Sequence, residues 1–331
     1  MTGITVSAAN RTFVCLPRWT VDVPVSVAEL LPDGALRAYP DDRWNSWRNN
    51  RPSEPGSRFV CVQSVVMDPQ DNLWVLDAAA PNMAGPVPGG PKLVRIDLRS
   101  NSVAQVIALG PAVAPQGSYL NDVRFDPDGG TAFITDSGAR GAILVVDTAT
   151  GAARRALDGH PSTQFEPEVV PKSDGRELRR PNGRAMQSAA DGIAISAVGT
   201  QLYWQALTGR TLYRVPTAAL RDASLPPDRL GVQVERIGQT HVADGLWLDA
   251  ANRLYVTNPE TSAIEVATAP GAPLVVLAQD PRMRWPDTFS QGPDGVLYVT
   301  ASHIQDSPWF HPQARVTPSS IWRIGTGAIS A

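Results

Sequence analysis

The chain alternates apolar and polar residues in period two, breaks at a Gly, Asp, Asn or Pro turn, and alternates again. This phrase recurs as VQSVVMDPQDNLWVLD from Val62, NDVRFDPDGGTAFITD from Asn121, ADGIAISAVGTQLYWQ from Ala190, ADGLWLDAANRLYVTN from Ala243 and PDTFSQGPDGVLYVTA from Pro286. Each copy predicts two antiparallel strands joined by a hairpin turn. A second pair follows, as in GAILVVDTATGAARRAL, so each unit reads as a four-stranded sheet. The opening TGITVSAANRTFVCL is a sixth copy, and the copies recur at intervals of about 40 to 70 residues. Together they predict an all-β fold, a six-bladed β-propeller of four-stranded antiparallel blades forming one domain over residues 1–331. The last copy offers a third strand, SSIWRIG. Its fourth is either TGAIS or a strand from elsewhere, which leaves the closure of the ring open.

In such a blade the strands run A to D outward from the axis, and A starts on the face where B ends. That face then carries Gln63, Asn121, Asp122, Asp191, Asp244 and Asp287 at the starts of strands A. It also carries Asp77, Asp136, Gln205, Asn258, Ser302 and His303 after strands B. The turns on the other face are short, and turn chemistry accounts for their Asp, Asn and Gly. The connections expected on the first face are long: residues 78–92, 158–190 and 301–320. Long loops gathered on one face of a rigid scaffold are where binding usually sits.

Four blades therefore begin at the axis with a carboxylate, Asp122, Asp191, Asp244 and Asp287, and a fifth with Gln63. Crowded carboxylates need a bound cation, raised pKa values, or pairing with local backbone N–H groups. An Asp before Gly, as at Asp191 and Asp244, also suits capping of its own turn. His303 directly follows a strand B and is the histidine expected to act as an acid or base. Trp309 and Phe310, in the same loop, are placed to cover an apolar ring.

Composition narrows the partners. There are 30 Pro and 27 Gly, which suit many tight turns, and the net charge of −3 comes with no basic run. Nucleic acid is therefore not an expected partner, and no apolar stretch is long enough to span a membrane. The first residues lack the basic start and apolar core of a secretory signal, which points to the cytoplasm. Cys15 and Cys61 sit in apolar runs and read as buried thiols. Oligomeric state is not legible in the chain.

The ordered segments NRTFVCLPRW, LRAYPDDRWNSW, DNLWVLDA, PKLVRIDL, SYLNDVRFD, AFITDSG, DGIAISAVGTQLYW and LYRVPTAAL resemble the yellow / major royal jelly protein family over nearly the whole chain. The resemblance implies a six-bladed propeller. Insect members of that family are typically secreted and include proteins linked to dopachrome conversion and salivary binders of biogenic amines. The missing leader suggests a bacterial-type relative. The inner-strand motif is also similar to gluconolactonase-type propellers, which hydrolyse lactones with one axial divalent metal. That similarity puts their metal positions on Gln63, Asp191 and Asp244, with calcium, magnesium, manganese or zinc as the cofactor, and a substrate-side position on Asn121.

The expected function is an enzyme acting on a small cyclic or aromatic metabolite at the top of the central channel. Isomerase or tautomerase chemistry comes first, with Asp191, Asp244 and His303 catalytic. Gln63, Asn121, Asp122, Asp287, Trp309 and Phe310 would hold substrate. Metal-dependent lactone hydrolysis and non-catalytic binding of a small amine or metabolite are the alternatives.

Overall fold

Burial falls off from the axis outward within each sheet. In the computed structural model, which describes residues 1–19, 22–313 and 317–325, the innermost strands are buried along nearly their whole length, polar residues included. In the second sheet β5 (Val62–Met67), β6 (Leu73–Asp77) and β7 (Lys92–Asp97) are largely buried, whereas β8 (Ser102–Ala108) alternates exposed and covered residues. The outer strand β8 therefore shows the alternation of a half-exposed surface.

Each sheet is antiparallel and takes its strands in chain order. The first comprises β1 (Gly3–Val6), β2 (Thr12–Cys15), β3 (Val27–Leu30) and β4 (Leu36–Ala38). The third comprises β9 (Leu120–Phe125), β10 (Thr131–Asp136), β11 (Ala142–Asp147) and β12 (Ala153–Ala156). A small hairpin, β13 (Lys172–Ser173) and β14 (Arg176–Glu177), lies in the long link that follows. The fourth sheet is β15 (Ala190–Ile195), β16 (Gln201–Ala206), β17 (Thr211–Pro216) and β18 (Glu235–Gln239). Two short helices, α1 (Thr217–Arg221) and α2 (Pro227–Gly231), connect its last strands. The fifth is β19 (Leu246–Leu248), β20 (Leu254–Asn258), β21 (Ala263–Ala267) and β22 (Val275–Gln279). The sixth comprises β23 (Pro286–Gln291), β24 (Leu297–Ala301) and β25 (Ser320–Ile324). This is the six-bladed propeller expected from the repeat.

The inner strands pack side by side in the order β1, β5, β9, β15, β19, β23 and back to β1. An apolar layer fills each gap between blades. Trp74, Leu76 and Leu93 meet Leu120, Ile134 and Leu144 between the second and third. Tyr255 and Val266 meet Phe289 and Val299 between the fifth and sixth.

The ring closes by packing and hydrogen bonds rather than by a shared sheet. Ile4, Val14 and Ala28 pack with Tyr298 and Ile321. The Thr300 hydroxyl donates to the Thr2 carbonyl at 2.9 Å, and the Val6 amide donates to Ser290 Oγ at 3.1 Å. Among the described residues no strand from elsewhere joins β25. The TGAIS segment, residues 326–330, lies outside them.

Candidate functional site

The inner strands do not enter the axis smoothly. The ladder between strands A and B shifts register between Val62 and Ser64, between Ala190 and Ile193, and between Pro286 and Phe289; in the third blade the shift falls between Ile134 and Asp136. These are bulges, which re-aim a side chain at the cost of a ladder bond, and they fall at Gln63, Asp191, Asp287 and the Asn121–Asp122 pair. Threonines of strand B take up the freed amides. Thr135 Oγ1 accepts from Asp122 N at 3.2 Å, Thr257 Oγ1 from Asp244 N at 3.0 Å, and Thr300 Oγ1 from Thr288 N at 3.1 Å. Thr135 also donates to the Asp191 carbonyl of the next blade at 2.7 Å, tying neighbouring inner strands together.

The Asp-Gly pairs have the same origin. A Cβ on Gly192 would lie 2.5 Å from the Asp244 carbonyl oxygen, and one on Gly245 would lie 1.9 Å from that of Asp287. Glycine is required because each blade's axial backbone presses on the next.

The bulges open onto a cavity of 460 Å³ lined by Gln63, Asn121, Asp191, Asp244 and Asp287. Met83 and Gly85 reach it from residues 78–92; Phe165, Arg180, Arg184 and Met186 from 158–190; Ile304, Trp309 and Phe310 from 301–320. All three long connections thus share the face of the mouth. Trp19 and Tyr119 also line it. Sequence reasoning missed both, because they sit on connections without periodicity; the one available signal was the position of Tyr119 just before an inner strand.

The floor is a network of carboxyl groups. Asn121 Nδ2 donates to Asp191 Oδ1, and the Ser188 hydroxyl donates to Oδ2 at 3.2 Å. Trp285 Nε1 donates to Asp244 Oδ2 at 2.5 Å. The Asp191 and Asp244 carboxyls lie within hydrogen-bonding reach of each other. Two carboxyl oxygens can pair in this way only through a proton. Burial, reinforced by the charges of Asp244, Asp122 and Asp287, pushes Asp191 well above the usual carboxylate range. Burial raises Asp244 to about 6 against the opposing hydrogen bond from Trp285. Asp287 is likewise pushed well up by burial and by Asp244. Its Oδ1 accepts from Thr288 Oγ1 at 3.2 Å. Its buried Oδ2 has no hydrogen-bond partner among the described residues; Ser302 is near enough to favour the charged form but outside hydrogen-bond geometry. Gln63 Oε1 accepts from the Tyr119 hydroxyl at 2.8 Å, and that hydroxyl in turn accepts from Trp19 Nε1.

The raised pKa of Asp244 has a stability consequence. A carboxyl whose folded pKa exceeds its unfolded 3.8 stabilises the fold below the unfolded value. That contribution is lost as pH rises through about 6. Asp244→Asn is therefore expected to gain on the wild type by about 3 kcal/mol between pH ~4 and pH ~8, from the size of the shift. Urea melts of both proteins across that range check it.

Two expected site residues lie elsewhere. Asp122 does not line the cavity: it accepts from Ser64 Oγ at 3.0 Å and faces the Arg124 guanidinium at 3.8 Å. The adjoining residue, Asn121, takes the place at the mouth. His303 lines a separate 220 Å³ cavity, divided from the axial one by Trp19, Ile304 and Trp309, which border both. The physical reason is local. His303 caps a short 3-10 turn at φ 56°, and its Nδ1 sits 3.3 Å from Asp306, itself held by Arg284. His303→Ala is expected to leave turnover in the axial cavity unchanged, checked by steady-state kinetics; a large loss would place chemistry in the smaller cavity.

The polar residues after strands B are structural as well. Asp77 accepts the Lys92 ammonium at 2.7 Å and the amides of Val60 and Cys61 at 2.8 Å. Asp136 accepts Arg155 at 2.7 Å. Gln205 Nε2 donates to the His241 carbonyl at 2.6 Å, and Asn258 Nδ2 donates to Glu265 at 2.8 Å. His241 pairs with Glu265 at 2.7 Å, and His160 Nδ1 accepts the Ser162 amide. Both cysteines are buried free thiols.

A metal fits this floor only in part. The donors are hard oxygens of the kind divalent cations take. Among the described residues, however, no three His, Cys, Asp or Glu side chains converge in metal-holding geometry. Gln63 Oε1 is occupied by Tyr119, and Asn121 presents its amide nitrogen to Asp191.

Comparison with known proteins places the chain. A family model described as major royal jelly protein matches residues 60–288. The chain belongs to the major royal jelly protein family. Major royal jelly protein 5 of Apis mellifera is 27% identical over 220 residues, covering 63% of this chain and 34% of the bee protein. The match therefore spans about a third of that relative's own length. Among solved structures, the calcium-binding protein regucalcin from Agrobacterium tumefaciens has a TM-score of 0.53 at 17% identity, covering 98% of this chain and 89% of its own. A gluconolactonase from Xanthomonas campestris has a TM-score of 0.52 at 12% identity, covering 89% and 88%. Virginiamycin B lyase from Staphylococcus aureus, in a structure with quinupristin, reaches 0.51 at 12% identity, covering 100% and 85%. These likenesses show the propeller fold. No helix among the described residues is long and apolar enough to cross a membrane.

Proposed function

We propose that this protein is an enzyme that moves protons on a small cyclic or aromatic metabolite in the axial cavity, an isomerase or tautomerase. The observation that carries the reading is the Asp191–Asp244 carboxyl pair on the cavity floor. Asp244, raised to about 6, exchanges its proton readily near neutral pH, where a general base is most effective. Asp191, raised further, remains the protonated partner and donates to an oxygen that gains charge. Asn121 and Trp285 fix the two carboxyls in place. Trp19, Phe165, Trp309 and Phe310 wall the cavity, cover a flat ring and keep water from the proton in transit.

The test is deuterium wash-in. A panel of cyclic ketones, enols and quinone methides in D2O is expected to contain compounds that exchange a carbon-bound proton with enzyme and not without it. Exchange should follow a base with a midpoint of about 6. Absence of exchange across the panel overturns the reading.

Lactone hydrolysis is the second reading, supported by the hard oxygen donors of Asp191 and Asp244 on the cavity floor. A divalent cation bound there would polarise a carbonyl and activate water. Asp191 and Asp244 would hold it. Lactone turnover abolished by a chelator and restored by one cation selects this reading; proton exchange indifferent to chelator selects the first.

A further inference from the structure

Two positive charges stand at the axial cavity without a partner. Arg180 and Arg184 both line it, and both are exposed. They face each other across a tight turn: the Arg180 amide donates to the Arg184 carbonyl at 2.8 Å, and the Gly183 amide to the Arg180 carbonyl at 2.8 Å. The pair outside them, Arg179 and Ala185, forms an antiparallel bridge. Asn182 Oδ1 accepts the Arg184 amide at 3.1 Å and stiffens the turn. Directly opposed residues share a face of a hairpin, and like charges there are destabilising.

The neighbouring acids do not relieve them. Glu177 is held by Arg179 at 2.7 Å and Asp174 by Arg284 at 3.0 Å. The cavity carboxyls, Asp191, Asp244 and Asp287, belong to the floor, where burial favours their neutral forms. Among the described residues neither guanidinium has a hydrogen bond or ion pair.

An exposed arginine pair alone identifies no ligand, because water solvates it. Its position adds the information. The same cavity has a hydrogen-bonding floor and walls formed by Trp19, Phe165, Trp309 and Phe310. A ring lying against those walls, with its polar end on the floor, would bring its other substituent towards the hairpin. Guanidinium pairs bind carboxylates with geometric specificity, and a positive rim draws anions and repels cations.

We propose that the ligand of the axial cavity is an aromatic or cyclic carboxylate, with its anionic group held by Arg180 and Arg184. The inference rests on the axial cavity being the substrate site, and it makes these two arginines specificity-determining residues. It also disfavours a cationic amine as the occupant.

The test is calorimetric binding at low salt of three matched pairs: benzoate and benzamide, phenylacetate and phenylacetamide, 4-hydroxyphenylacetate and its amide. In at least one pair the acid is expected to bind about tenfold more tightly than the amide, the factor that one good charge-assisted contact gives. In Arg180→Gln/Arg184→Gln the preference should fall to about twofold or less, with amide affinity unchanged. Equal binding of acid and amide, persistence of the preference in the double variant, or no binding by any pair would each overturn the proposal. Acid binding without deuterium wash-in would sink the tautomerase reading and leave this one standing. Wash-in on neutral compounds without acid preference would do the reverse.

Discussion

Asp191→Asn is expected to lower turnover on the true substrate by about 10²–10⁴-fold, the range for removal of a positioned general acid or base. The asparagine is nearly isosteric. Its carbonyl oxygen can take the place of the carboxyl oxygen that accepts from Asn121 or from Ser188, so the floor keeps its shape. What is lost is the transferable proton. Burial is the main cause of the raised values of both Asp244 and Asp287, and the hydrogen bond from Asp191 holds Asp244 down rather than up, so their raised titration should persist in the variant. Circular dichroism and urea melts would confirm an intact fold beside the lost rate. A variant within a fewfold of wild type would move catalysis away from the carboxyl pair.

Gly245→Ala is expected to destabilise the fold by about 3 kcal/mol, the upper part of the range for an overpacked core. The added Cβ would meet the Asp287 carbonyl oxygen at 1.9 Å, the Asp287 carbonyl carbon at 3.1 Å and Thr257 Cγ2 at 3.2 Å. Backbone atoms cannot swing aside as the end of a flexible side chain can. The fifth and sixth blades must therefore separate at the axis, which also displaces Asp287 from the cavity. Gly110→Ala, where an added Cβ meets nothing within 4 Å, is the control and should stay within about 0.5 kcal/mol. Equal melting of both variants and the wild type would show that the axial contact is looser than described.

The fold was legible because its unit repeats. VRFDPDGGTAFITD and LWLDAANRLYVTN carry the same hairpin, and six copies leave room for little else. The burial of the inner strands was less legible: a strand covered on both faces loses its alternation of burial, which the outer strand β8 keeps. The axial residues were found because a recurring acid before a strand stands out by position alone. Turn capping was one alternative for the Asp-Gly pairs, yet each glycine answers to the neighbouring blade's carbonyl, Gly245 to Asp287 and Gly192 to Asp244, contacts far apart in the chain and invisible to local reading. Strand parity put His303 on the correct face. It could not foresee that a left-handed residue would turn the ring towards Asp306. The role of Asp77 and Asp136 was hidden because Lys92 reaches Asp77 from the neighbouring strand and Arg155 reaches Asp136 from two strands away.

The central claim is that the floor carboxyls hold protons near neutral pH. Carbon-13 NMR of protein labelled at the aspartate carboxyl carbons, titrated in the wild type, Asp191→Asn and Asp244→Asn, tests it most directly. The account predicts carboxyl signals with midpoints at about 6 and above, with a distinct signal missing from each variant. Titration of every aspartate in the ordinary range near ~4 would contradict it.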